Sequence, residues 1–389
     1  MDCYDIVVIG GGIHGAGVAQ AAAAAGHSVL LLEKNSLAYG SSSRSSKLIH
    51  GGLRYLESAQ FHLVHECLQE RHLLVHIAPD LVYLDKFYIP IYESTSRSRL
   101  TLFTGLSIYA VLGGLKASTH FRSLNKRQRL SLDGLKQQGL KAVFQYYDGR
   151  TDDRLLTTAV MKSAIELGAE SVIPAAFVSA ECGHDYVDVT YVDNSVTKHC
   201  RAGALVNATG AWINPVLEKI SPARPVMSID LVQGTHLVLE EFPIRHSFYF
   251  EAPQDKRAVF LLPWKNKTLL GTTETHFSGQ PENVRPLQKE KDYLLEIVQH
   301  YFPDYSASGN TFNVADEFAG LRVLPSGKKN DFSKPRDTVL YRSHSRVINI
   351  YGGKLTTYRL TAERIIKKLH NVLPVRQERV LTRNIMLNT

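Results

Sequence analysis

An apolar run, Ile6–Ile9, breaks abruptly into Gly10-x-Gly12-x-x-Gly15, and this break constrains the fold of the chain more than any other feature. A stretch of small residues with helical character follows. A second apolar run, Val29–Leu32, then ends on Glu33. Gly10 permits a tight turn, Gly12 lets the backbone approach a pyrophosphate, and Gly15 with the alanines lets the helix lie close on a sheet. The helix start offers unpaired N–H groups and a partial positive charge to phosphate oxygens. Glu33 stands where a carboxylate accepts hydrogen bonds from ribose hydroxyls. A glycine turn used only for packing leaves the acid at the end of the second strand unexplained. The unit is therefore read as dinucleotide-binding and the fold class as α/β, with a Rossmann-like domain.

The remainder of the chain is long enough for a second domain. At 389 residues, with 44% apolar and 21% charged residues, it buries a sizeable core. A helix is expected over Phe61–Ile77, closed by Pro79, and another over Thr157–Leu167, ended by Gly168. Phe177–Ala180, Val187–Val192 and Ala204–Asn207 read as strands. Alternating residues over Arg224–Thr273 suit an antiparallel sheet, and Lys289–Tyr301 an amphipathic helix. A last strand, Val347–Ile350, leads through Gly352-Gly353 into a helix from about Thr356 to Leu369. Parallel-sheet pieces thus recur at the start, middle and end. This organisation predicts a discontinuous nucleotide domain (1–50, 145–215 and 316–372), a substrate domain with an antiparallel sheet (51–144 and 216–315), and a tail (373–389).

Charge and cysteine usage exclude several classes. The formal net charge is +8, but no basic run or RNA-type motif supports nucleic-acid binding. The four cysteines are scattered without metal spacing, which reads as reduced, mostly buried thiols, with no metal expected. A core strand begins almost at the N-terminus, leaving no room for a secretory signal, so a cytoplasmic placement is expected. Leu100–Leu115 carries no formal charge; it is too short and too rich in Thr, Ser and Gly to span a bilayer, and burial is the expectation. The competing reading is a surface helix dipping into a bilayer, edged by Arg97, Arg99 and Lys116.

Further motifs follow in order: SSKLIHGGLRYLE (45–57), LVNATGAW (205–212), QGTHLVL (233–239), LLGTTET (269–275), GLRVLP (320–325) and YGGKLTTYR (351–359). The turns at Ala208-Thr209-Gly210 and Gly352-Gly353 each follow an apolar strand, as a long cofactor threaded through one domain requires. Together with the N-terminal IGGGIHGAG they resemble the FAD-dependent glycerol-3-phosphate dehydrogenases, within the D-amino-acid-oxidase-like flavoproteins, over nearly the whole chain. The HGGLRYL and GGKLTTYR segments are specific to that branch.

The resemblance implies an FAD domain of the glutathione-reductase type. It also implies oxidation of sn-glycerol 3-phosphate to dihydroxyacetone phosphate, with electrons passing to a quinone or other acceptor, at most peripherally on the inner face of the membrane. It places cofactor contacts at Gly10, Gly12, Ile13, His14 and Gly15; at Glu33, Lys34, Ser42, Ser43, Ser46, Lys47 and Leu48; at Val178, Ala208, Thr209, Gly210 and Gly320; and at Gly353, Lys354, Leu355 and Thr356.

Guanidinium forks match phosphate oxygens, and arginines in apolar segments need an anionic partner. Arg54 and Arg322 are accordingly the expected phosphate clamp, with Tyr55 donating a hydrogen bond and Thr272 and Thr273 as minor contacts. His236 and His50 are the candidate bases for the hydroxyl proton. Lys354 supplies positive charge beside the reacting oxygen or reduced flavin, a use favoured because a cation at a helix start opposes the dipole. His14 stands where relatives carry a smaller residue. Family members continue into a C-terminal helical domain; the chain stops at Thr389, so that domain is expected to be missing, leaving the oligomeric state open. Two other readings stand beside this one: an oxidase or dehydrogenase of an amino acid or 2-hydroxy acid on the same fold, and a flavin-binding protein that has lost catalysis.

Overall fold

In the computed structural model, which describes residues 1–240, 242, 244–326 and 338–388, two sheets meet along the cavity wall. The first holds five parallel strands in the order Glu170–Val172, Val29–Leu32, Asp2–Ile9, Val196–Asn207 and Val347–Tyr351. Val29–Leu32 is buried along its whole length, as a run covered on both faces must be. An antiparallel extension, Ala175–Cys182 and Val187–Asp193, grows from the N-terminal half of Val196–Asn207.

The helix Ile13–Ala24 covers one face of this sheet. Its small residues bring it close to neighbours: a Cβ on Gly15 would sit 1.8 Å from the Gly10 carbonyl oxygen, and one on Gly17 would sit 2.7 Å from the Tyr358 ring. Helices Asp153–Glu166 and Tyr358–Leu369 pack against it through the same apolar cluster.

The second sheet is antiparallel but for one pairing, Ser247–Glu251 with Val82–Tyr92. At its centre Ile229–Leu239 pairs with Val314–Pro325 on one side and with Lys267–Gly271 and Thr275–Phe277 on the other. The sheets divide the chain differently from the sequence-based segments. Leu140–Thr151 pairs with Val82–Tyr92, Leu48–Ile49 joins it, and Val314–Pro325 lies wholly in the second sheet. Apolar strands of either sheet look alike in sequence, since periodicity does not reveal the partner strand.

The burial expected of Leu100–Leu115 needs correction. The helix Arg99–Leu112 buries Leu102, Leu106, Tyr109 and Ala110. Its opposite stripe faces water: Leu100 is 74%, Phe103 51% and Val111 64% exposed, and Leu115 beyond the helix is also exposed. Both faces being apolar, sequence alone does not say which is covered. Arg97 is no free edge charge, because Glu57 and Glu251 bind it. No helix among the described residues is long and apolar enough to cross a membrane. The four cysteines are unbridged; Cys67 and Cys200 are buried, Cys182 is partly buried and Cys3 is exposed.

Candidate active site

A cavity of about 690 Å³ runs from the glycine turn of the first sheet to the face of the second. Its nucleotide end is built by chain geometry. Gly10 adopts φ +103°, and a Cβ there would meet the Ala208 carbonyl oxygen at 2.8 Å. No side chain caps the helix at Gly12 and no acid stands in its first turn, so the helix start faces the cavity with its N–H groups and dipole available to an anion. Ser42 Oγ takes one of them, from Ile13 at 2.9 Å. The Glu33 carboxylate accepts from the backbone N–H groups of Gly11 and Asn35, both at 2.7 Å, which fixes it at the cavity edge.

Gly353, at φ +107°, makes room for His14: a Cβ there would lie 2.0 Å from Nε2. Both His14 ring nitrogens are shielded from water and lack a hydrogen-bond partner among the described residues. Orphaned buried polar atoms are costly unless a ligand satisfies them. The acid-free helix start, the two glycine cradles and these nitrogens fit an extended dinucleotide cofactor. Burial also pushes the His14 imidazole down to about 4. An unfolded histidine binds its proton near pH 6.5, so this group contributes stability above that pH and loses it as the pH falls towards 4. In the ligand-free protein the loss relative to His14→Asn is expected to reach about 3 kcal/mol. Urea midpoints of both proteins at pH 7.5 and 4.5 check this; parallel losses would exclude it.

The second sheet supplies the chemistry end. Alternation puts Gly234 and His236 on the cavity face of Ile229–Leu239, where they pair across from Gly320 and Phe318. His236 stacks on Phe318 at 4.9 Å and its Nε2 lies 2.9 Å from Ser46 Oγ. Burial, then the positive charges of Arg322 and Lys47, hold it neutral well below its ordinary range. Arg322 projects from Val314–Pro325, and Arg54 from the turn Leu53–Ser58. They converge on one oxygen: Glu274 Oε1 lies 3.6 Å from Arg54 Nη1 and 3.4 Å from Arg322 Nη1. Lys354 Nζ sits 4.5 Å from the centre of the Tyr55 ring, and the Tyr55 ring lies 6.0 Å from His50.

Most expected contacts line this cavity: Gly10, Gly12, Ile13, His14, Glu33, Lys34, Ser42, Ser46, Leu48, His50, Arg54, Tyr55, Ala208, Thr209, Gly210, His236, Gly320, Arg322, Gly353, Lys354, Leu355 and Thr356. Five do not. Gly15 lies beneath the turn it permits. Ser43 bonds back to the Gly40 carbonyl. Lys47 is drawn into a buried pair with Asp153 at 2.6 Å. Val178 points to solvent, and Ala175, Ala176 and Phe177 line the wall instead. Thr273 donates to Glu290 and accepts from the Thr235 N–H, which leaves Thr272 at the cavity.

The dipole argument for Lys354 also fails, because the helix begins at Tyr358. Glu274 is the functional candidate sequence reasoning passed over. It lies inside LLGTTET, but a lone acid among threonines carries no signal until its arginine neighbours are known. Trp212, Tyr249 and Phe260 likewise line the wall unannounced.

A glycine turn on a parallel sheet, joined by one cavity to a cationic patch on a second sheet, defines a dinucleotide-dependent enzyme. The family described as FAD dependent oxidoreductase matches residues 5–365, and the chain belongs to it. It is an FAD-dependent oxidoreductase with FAD as cofactor. The chain is 36% identical over 377 residues to D-erythritol 1-phosphate dehydrogenase of Brucella abortus, covering 95% of itself and 74% of that protein. It is 35% identical over 370 residues to the aerobic glycerol-3-phosphate dehydrogenase of Bacillus subtilis, covering 93% and 66%. Among solved structures, glycerol-3-phosphate dehydrogenase from Bacillus halodurans complexed with FAD superposes with TM-score 0.78 at 29% identity, over 99% of this chain and 67% of that one. Glycine oxidase from Geobacillus kaustophilus, at 17% identity and TM-score 0.73, shares the fold alone.

Proposed function

We propose that this chain oxidises the secondary alcohol of sn-glycerol 3-phosphate to the ketone of dihydroxyacetone phosphate. The observation that carries the reading is the convergence of Arg54 and Arg322 on a single anionic oxygen at the cavity wall. A phosphate ester offers several such oxygens and two charges near neutral pH. An amino acid or 2-hydroxy acid offers one carboxylate, which one arginine satisfies.

The helix start at Gly12, the Gly10 and Gly353 cradles, His14 and Glu33 would hold FAD. Bound FAD supplies the two-electron acceptor. The chain's own groups do the rest. Arg54, Arg322 and Tyr55 anchor the phosphate and so fix the carbinol carbon. Neutral His236, or His50 beside Tyr55, accepts the hydroxyl proton. Lys354 holds positive charge beside the oxygen that becomes the carbonyl. Gly234 opposite Gly320 leaves the wall low between His236 and Arg322.

A four-carbon polyol phosphate shares the phosphate end and the adjacent carbinol, and the 36% identity to a D-erythritol 1-phosphate dehydrogenase supports testing it beside glycerol. A steady-state panel with an artificial dye acceptor separates the readings. The expected order puts sn-glycerol 3-phosphate first, the tetritol phosphate behind it, and glycine or lactate without turnover. Turnover of glycine or lactate above the phosphates would overturn the proposal.

We propose that electrons leave for a quinone or other acceptor, and we place the protein peripherally on the inner membrane face. Support comes from the exposed stripe Leu100, Phe103, Val111 and Leu115, flanked by Arg99 and Lys116. Replacing Phe103 and Val111 by Ser is expected to weaken co-sedimentation with phosphatidylglycerol vesicles at least about thirtyfold, given about 1–2 kcal/mol for each apolar side chain withdrawn. Unchanged sedimentation would remove this helix from the membrane account.

A further inference from the structure

The seat assigned to the substrate phosphate already contains an anion. Glu274 is 5% exposed at its side chain, and its carboxylate stands between Arg54 and Arg322. Each guanidinium reaches it at a distance longer than a tight charge-assisted hydrogen bond, 3.6 and 3.4 Å. The groups around it come from every wall. Arg54 lies on the turn Leu53–Ser58, and Arg322 on Val314–Pro325. Arg257 donates to the Glu274 backbone carbonyl at 2.5 Å, Tyr293 on Gln288–Tyr301 lies within its field, and Lys354 sits over the Tyr55 ring.

We propose that a phosphate ester enters this site together with a proton, because Glu274 already holds a negative charge between the two guanidinium groups. The inference rests on the phosphate reading above and deepens it. When phosphate oxygens take the Arg54 and Arg322 donors, Glu274 shares these two cationic contacts with a second anion. It then faces a doubly charged group at close range. Like charges that share a dry site do not both stay ionised. One proton is taken from solvent and sits on the Glu274 carboxyl or on a phosphate oxygen, forming the hydrogen bond that replaces the repulsion. The balance is simple: one proton leaves the buffer for each phosphate bound, and no covalent bond changes.

This separates Glu274 from a residue that merely supports the fold. A structural carboxylate leaves ligand affinity independent of pH once the free phosphate is fully ionised. A proton-coupled one makes affinity fall by up to about tenfold per pH unit between about pH 7 and 8.5, above the phosphate's own pKa of about 6. The replacement Glu274→Gln keeps the shape and removes the charge. It binds phosphate more tightly at pH 8.5 and flattens the dependence.

The test is isothermal calorimetry on the FAD-loaded protein at pH 8. The probes are glycerol 2-phosphate, which has no secondary alcohol to oxidise, and inorganic phosphate, in two buffers of different ionisation enthalpy. The expected result is uptake of close to one proton by the wild type and by Glu274→Asp, and close to none by Glu274→Gln. Zero uptake by the wild type overturns the inference whatever the variants do. Equal uptake by wild type and Glu274→Gln also overturns it, because the proton then has another cause. If neither phosphate binds the wild type, the phosphate reading itself fails; if both bind without a proton, that reading stands and only this inference falls.

Discussion

Arg322→Ala is expected to lower kcat/KM for sn-glycerol 3-phosphate by about two to three orders of magnitude, since truncating one partner of a desolvated charge pair costs about 2–5 kcal/mol. Arg322 sits in the strand that carries Gly320 along the cavity face, so its stem is fixed by the sheet. Its guanidinium approaches Thr272 Oγ1 and the Thr273 carbonyl at 3.4 and 3.5 Å, and these contacts aim it along the cavity wall. Arg322→Lys is expected to recover only a small part of the loss, because one ammonium point does not reproduce a planar fork. FAD content, read from the visible spectrum, stays that of the wild type. A variant within about fivefold of wild-type kcat/KM would show that Arg322 does not hold the phosphate.

The second large effect falls on the cofactor. Gly15→Ala is expected to yield protein that loses FAD on dilution, with affinity reduced about ten- to a hundredfold for the 1–3 kcal/mol that overpacking costs. The added Cβ meets the Gly10 carbonyl oxygen at 1.8 Å, and that oxygen belongs to the turn that receives the pyrophosphate. Backbone is the obstacle, so relief comes only by displacing the turn or the helix. Gly105→Ala is the matched control. It lies within the helix Arg99–Leu112 with nothing within 4 Å of the new Cβ, and it is expected to retain FAD and gain up to about 1 kcal/mol of stability. FAD fluorescence on dilution reads both. Full retention by Gly15→Ala would contradict the packing argument.

The nucleotide half was legible because its constraints are local. Glycines at 10, 12 and 15 act through backbone positions a few residues apart, so the turn, the helix and the strand Val29–Leu32 follow from one short stretch. Helix Phe61–Ile77 was equally readable from apolar spacing.

What failed to read was long-range. The boundaries expected at 145 and 316 cut through Leu140–Thr151 and Val314–Pro325, whose partners Val82–Tyr92 and Ile229–Leu239 lie far off in sequence. Thr272 and Thr273 are adjacent and chemically alike; only the side chain of Glu290, seventeen residues on, draws Thr273 away from the cavity. Lys47 sits in a motif rich in cofactor-type serines, yet Asp153 claims it. Glu274 is mute in sequence because its meaning lies in two arginines from other segments. The outward stripe of Arg99–Leu112 was hidden for the opposite reason: apolar residues stand on both of its faces, so burial and the competing surface-helix reading fit the same residues.

Phosphate-anchored delivery of a secondary alcohol to the flavin site is measured directly by anaerobic reduction. Purified yellow protein, free of oxygen, is mixed with saturating sn-glycerol 3-phosphate and the flavin absorbance band is followed. The expected result is rapid bleaching with sn-glycerol 3-phosphate, none with glycerol, and bleaching slowed by about two orders of magnitude or more in Arg322→Ala. A flavin band left unchanged by saturating sn-glycerol 3-phosphate, or bleached as fast by glycine, would contradict it.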